Sequence, residues 1–98
     1  MRITYDIGHA NLTQEGPIEF CKGIVHLIIN VHVSDNNGTR DQHRPLGLGN
    51  IDFYEVFKVL AKNHYNGAIV IERPYDTHFL NDIKMVNNLL TKLGVKLT

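Results

Sequence analysis

Six residues in this chain have side chains that could hold a metal ion or move a proton: Asp6, His9, His32, Asp41, His43 and Glu72. Carboxylate oxygens combined with imidazole nitrogens suit zinc or manganese, and cobalt and iron(II) as well. Two close pairs occur among them. Asp6 and His9 stand three apart across Gly8, and Asp41 and His43 flank Gln42. Taken singly, such pairs arise often by chance. The stronger signal is positional, because Asp6, His32 and Glu72 each close an apolar, β-prone run.

Those runs are Arg2–Asp6, Ile28–Val33 and Ala68–Glu72, the last broken by Pro74. Helical patterns lie between and after them. The first covers Ile18–Val25. The second opens on Asp52 as N-cap, with Glu55 three residues on and Ile51 and Val56 as a hydrophobic staple. Asn66-Gly67 is expected to end it. The third runs from Thr77 to Leu93, with Phe79, Ile83, Val86, Leu90 and Leu93 on one stripe and Gly94 as its cap. The order β-α-β-α-β-α predicts an α/β fold with a parallel sheet and right-handed crossovers.

Side chains alternate along a strand. Asp6, Thr4 and Arg2 then oppose Ile3 and Tyr5. His32, Asn30 and Ile28 oppose Ile29, Val31 and Val33. Glu72, Val70 and Ala68 oppose Ile69 and Ile71. The three polar strand ends fall in phase, at the C-terminal edge of the sheet, where α/β folds place their chemistry. The stretch Asp35–Asn50 is a long loop with three glycines and Pro45, and long loops in small domains tend to be functional. Arg40 and Arg44 flank its Asp-x-His pair and are candidates to meet a substrate phosphate.

Length and composition narrow the classes. The chain has 98 residues, ten basic against ten acidic, and 43% apolar side chains. Zero net charge disfavours strong nonspecific nucleic-acid binding. No run is long and apolar enough for a membrane span, and no signal peptide is visible, so a cytoplasmic protein is expected. The lone Cys21 excludes an internal disulfide and is expected to be a reduced, partly buried thiol. His26, His64 and His78 fall off the ligand face and read as surface or capping residues. Arg73 and Tyr75 read as pocket-mouth residues, with Arg73 also able to pair with a nearby carboxylate.

Three stretches together carry a family resemblance: Asp6-Ile7-Gly8-His9-Ala10, the segment from His32 through Asp41-Gln42-His43 to Asp52, and Ile69-Val70-Ile71-Glu72. They resemble the xylose isomerase-like TIM-barrel superfamily of sugar and sugar-phosphate isomerases, epimerases and endonuclease IV nucleases. The resemblance implies that Asp6, His32 and Glu72 bind a divalent metal. It implies that His9 binds a second metal, as in the nucleases, or holds a substrate hydroxyl, as in the epimerases. Asp41 and His43 would be metal ligands in the first case and line the substrate pocket in the second. Glu72 would also transfer a proton next to a sugar carbonyl.

A (β/α)8 barrel needs about 200 residues or more. The resemblance therefore implies that residues 1–98 are a partial barrel domain, the last three βα units. A metal-binding glutamate from an earlier strand is missing. The fragment is expected to be inactive unless a companion chain, or self-association, supplies the missing units. Two other readings stand beside the sugar isomerase or epimerase: an abasic-site nuclease fragment, which the zero net charge disfavours, and a non-catalytic self-associating module built on unpaired sheet edges.

Overall fold

Strand β1 spans Ile3–Asp6, β2 Ile28–Val33 and β3 Ala68–Ile71, in the computed structural model of the chain. Residues 1–73, 76 and 78–94 are described. The expectations placed on Pro74, Tyr75 and Thr77 lie outside them. The strands form one parallel sheet in the order β1-β2-β3, as the alternation of strands and helices requires. Asp6 pairs with His32, and His32 with Val70, so Glu72 lies just beyond the end of its strand. Its amide still donates to the Val33 carbonyl, at 2.9 Å, and extends the ladder by one bond.

One face of the sheet is packed and the other is open. Tyr5, Val31 and Val33 are buried in a core shared with Val56, Phe57 and Leu60 of helix α3, Phe53–Lys62. Thr4, Ile29, Ala68 and Val70 are exposed. Ile28 and Ile29 exchange the roles that simple alternation assigns them. Ile3 pairs with Ile28 and Thr4 with Asn30, so Ile29 is an extra residue in β2. This irregularity shifts the side-chain phase. Ile28 is therefore buried, and Ile29 is 44% exposed.

A one-turn helix, α1, Ile7–Ala10, follows β1 directly, where the sequence showed only a glycine-punctuated stretch. Asp6 is its N-cap and accepts the His9 amide at 2.9 Å. Helix α2 spans Gly16–Ile24, with Pro17 in its first turn, and passes through a 3-10 turn, Val25–Leu27, into β2. Asp52 caps α3 as expected, accepting the Glu55 amide at 3.2 Å, with Ile51 and Val56 both buried. The end of α3 is not at Asn66-Gly67. His64 adopts a φ of 56°, its amide donates to Ala61 O, and the Tyr65 amide donates to Leu60 O. That is a Schellman closure with histidine in the left-handed position usually given to glycine. Helix α4 spans Phe79–Lys92, with Gly94 beyond it at φ 78°. Val86 and Leu90 are buried as predicted, and Asp82 is buried with them.

The long loop after β2 is organised by a buried carboxylate. Asp35 is fully buried, and its side chain accepts amides from Asn36 at 2.9 Å, Gly47 at 2.9 Å, Gly49 at 3.0 Å and Ile51 at 3.3 Å. Its main chain also pairs with Arg44 in both directions. Asn36 beside it donates to the Gly8 carbonyl and accepts from Asn11 and from the Gly38 amide. A side chain at position 49 would run into the Asn36 carbonyl and the Asp35 carboxylate, so glycine is required there. Asp35→Ala leaves several buried amides without an acceptor. It is expected to lower the unfolding free energy by about 3 kcal/mol or more, measured by urea denaturation; a change within experimental error would contradict this.

Candidate functional site

Each polar strand end is delivered to the same edge by a different local device. Asp6 is held by its capping bond to α1. His32 is fixed by the ladder on both sides, and Glu72 by its amide bond to Val33. One donor atom from each of Asp6, His32 and Glu72 lies within 4.8 Å of the other two. Nδ1 of His32 pairs directly with Oε2 of Glu72. The far nitrogen of His32, Nε2, lies 3.0 Å from Nδ2 of Asn30. The side chains are only partly covered, His32 at 29% and Glu72 at 45% exposed. Two carboxylates and an imidazole so placed form a donor set that fits a divalent cation.

His9, Asp41 and His43 come together beside this group and make a second chain of contacts. Nδ1 of His9 lies 3.5 Å from the Asp6 carboxylate, and its Nε2 lies 2.9 Å from Oδ2 of Asp41. The same Oδ2 lies 3.1 Å from Nε2 of His43. Nδ1 of His43 donates to the Glu72 carbonyl at 2.8 Å. That bond is the main cause of a raised His43 pKa. The Asp41 carboxylate adds to it, and partial burial opposes it. With Nδ1 committed as a donor and Nε2 beside a carboxylate, the imidazolium is stabilised relative to that of a free histidine. His43 reaches this position with φ 49°, a left-handed conformation that is strained for histidine.

Arg40 is exposed. Arg44 donates through NH1 to the Leu48 carbonyl at 3.0 Å, so it braces the loop. His26, His64 and His78 are exposed, as expected of surface or capping residues. Cys21 is fully buried, and burial pushes its thiol pKa up to about 11.

Arg73 pairs with Asp82, and both side chains are 2% exposed. Arg73 also reaches Asp76 at 2.7 Å, and Asp82 accepts the Leu46 amide at 3.0 Å. The pair thus ties the residue after Glu72 to α4 and to the loop that carries His43. Sequence reasoning singled out Arg73 but not Asp82. The available signal was an aspartate one helical turn from both Phe79 and Val86, on the apolar stripe. It likewise passed over Asp35 and Asn36, whose signal was an acid-amide pair ahead of a glycine-rich loop.

The profile of the family described as xylose isomerase-like TIM barrel matches residues 1–93. The chain belongs to that family. A structural neighbour, a D-tagatose 3-epimerase-like protein, superposes with a TM-score of 0.86 at 37% identity, over 95% of this chain and 36% of the neighbour. An uncharacterised protein of Methanocaldococcus jannaschii is 48% identical over 73 residues, covering 71% of this chain and 25% of that protein. An inosose dehydratase of Clostridium botulinum is 30% identical over 99 residues, covering 84% of this chain and 33% of the enzyme. The chain thus spans about a quarter to a third of the length of the curated relatives it matches. No helix among the described residues is long and apolar enough to cross a membrane.

Breaking the Arg73–Asp82 pair from one side strands a buried charge. Arg73→Ala is expected to cost about 3–5 kcal/mol. The double variant Arg73→Met, Asp82→Leu should cost less than the single one. Urea denaturation of the three chains checks this, and equal losses would contradict it.

Proposed function

We propose that the chain carries part of the active site of a divalent-metal-dependent isomerase, epimerase or dehydratase acting on a hydroxy-carbonyl carbohydrate. The observation that carries this reading is the convergence of Asp6, His32 and Glu72, with donor atoms within 4.8 Å, at the C-terminal edge of three parallel strands. The names of two relatives, inosose dehydratase and D-tagatose 3-epimerase-like protein, supply the substrate class. Asp6, His32 and Glu72 would hold the ion, zinc or manganese by donor chemistry. When bound, such an ion supplies Lewis-acid polarisation of adjacent substrate oxygens. In this reading Glu72 would take a proton from the carbon beside the carbonyl, and His9 would hold a substrate hydroxyl. Asp41 and His43 orient His9 and the Glu72 main chain rather than joining the three-donor group. The exposed Arg40 would meet a substrate phosphate. The zero net charge and the carbohydrate relatives favour this over nuclease action.

Among the described residues, three strands leave β1 and β3 as sheet edges, while a (β/α)8 barrel has none. Apolar grooves lie along both. One is lined in part by Ile3, Tyr5, Phe20 and Ile24. The other is lined in part by Ile69, Ile71, Phe79 and Ile83. The reading therefore includes a partner, further βα units paired on these edges, supplied by additional chain, a companion chain or a second copy. A cytoplasmic setting belongs to the same reading.

Calorimetric titration of the metal-free chain with zinc and manganese is expected to show one tight site. Asp6→Asn, His32→Ala and Glu72→Gln should each weaken it more than about 100-fold, beyond the cost of losing an outer-shell partner. Absence of binding, or binding indifferent to all three changes, would sink the reading. The purified chain alone should show no ketose epimerase turnover and should sediment above monomer mass at high concentration. Robust turnover would overturn the need for added barrel units, and a clean monomer would exclude a second copy as their source.

A further inference from the structure

Asn30 stands on β2 two residues before His32, on the same side of the strand beyond the Ile29 irregularity. Its Nδ2 lies 3.0 Å from Nε2 of His32. Its Oδ1 is buried and meets no donor among the described residues. An amide nitrogen only donates, so in this arrangement Nε2 must accept. The imidazole proton then belongs on Nδ1, where it faces the Glu72 carboxylate. A metal ion taken through Nδ1 needs that nitrogen bare, which leaves the proton on Nε2. Nε2–H in turn needs an acceptor. Asn30 supplies one by turning its amide half a turn, presenting Oδ1 in place of Nδ2. Because no donor holds Oδ1, no hydrogen bond on that side opposes the turn.

We propose that Asn30 is a positioning residue whose amide orientation is coupled to the tautomer of His32, so that Nδ1 becomes the ligating atom. The proposal rests on the divalent-metal reading above, yet half of it can be read without metal. Either amide orientation serves one tautomer: Nδ2 toward Nε2 when His32 bonds Glu72, and Oδ1 toward Nε2–H when Nδ1 is given to a cation. Ligating imidazoles commonly donate their other N–H to an oxygen acceptor of this kind.

The test uses the whole 98-residue chain with ¹⁵N-labelled histidine. Long-range ¹H–¹⁵N spectra report which nitrogen of His32 carries the proton, and a competition titration reports zinc affinity. In the metal-free chain, His32 should be protonated at Nδ1, and zinc should move the proton to Nε2. Asn30→Asp presents only acceptors, so it should favour Nε2–H before any zinc is added and bind zinc at least as tightly as the parent. Asn30→Leu removes both roles and should weaken zinc binding about 10–100-fold, while its amide spectrum stays that of the folded chain. Nε2–H in the metal-free parent would overturn the proposal. So would zinc affinity in a folded Asn30→Leu chain within about twofold of the parent. If the parent binds no zinc, the metal reading fails by itself. The tautomer in metal-free Asn30→Asp then decides on Asn30, and an unmoved proton overturns its role.

Discussion

A fully buried carboxylate is the point from which the functional end of this chain is built. Asp35 leaves the sheet directly after β2, and water cannot reach it. A charge in that position is tolerable only if donors surround it. The chain supplies them by curling the segment 36–51 back on itself until its amides face the carboxylate. The loop's shape is thus the solution to a solvation problem. Glycine at 49 follows from the close approach, and the Arg44 main-chain pairing follows from the same curl. With Arg44 fixed, His43 is delivered to the Glu72 carbonyl. A long loop that would otherwise lose much entropy on ordering is held by groups whose alternative, burial without partners, is worse.

The polar groups at the sheet edge then form a closed circuit. From Asp6 the contacts run through His9, Asp41 and His43 to the backbone of Glu72, and from the Glu72 carboxylate through His32 back toward Asp6. The inner residues face the candidate cation site, and the outer ones fix where the inner ones stand. Outside the circuit, the Arg73–Asp82 pair fastens the exit of β3 to α4 and to the loop. Three segments far apart in sequence are thereby held in one relative placement by a few polar bonds, while the apolar core beneath supplies most of the burial.

Much of this could be read from the sequence because it depends on short-range periodicity. The three strands, their parallel order and the phase of Asp6, His32 and Glu72 follow from alternation and from the helical stripes between strands. The Asp52 cap follows from its spacing to Glu55. What could not be read depends on events that periodicity does not encode. The extra residue at Ile29 leaves no mark in composition. His64 closes α3 in a conformation for which Asn66-Gly67 was the better local candidate, because the Leu60 and Ala61 carbonyls are satisfied earlier. Asp82 falls on the apolar stripe of α4, but no local pattern marks Arg73 as the partner that lets it be buried there. Asp35 looks like one more polar loop residue, since its partners are backbone amides that carry no side-chain signature. The placement of His9 against Asp41, 32 positions away, likewise needs the loop's fold before it can be seen.

His43 combines two demands that oppose each other. Its backbone adopts a left-handed φ of 49°, which glycine would take up without strain, while its ring bonds the Glu72 carbonyl and meets Asp41. The smallest residue would relax the main chain and silence the contact between loop and strand. The imidazole keeps the contact and holds the chain in a less favoured shape. At this one position the ease of folding and the fitness of the site pull in opposite directions, and the loop's polar scaffold is what lets the second prevail.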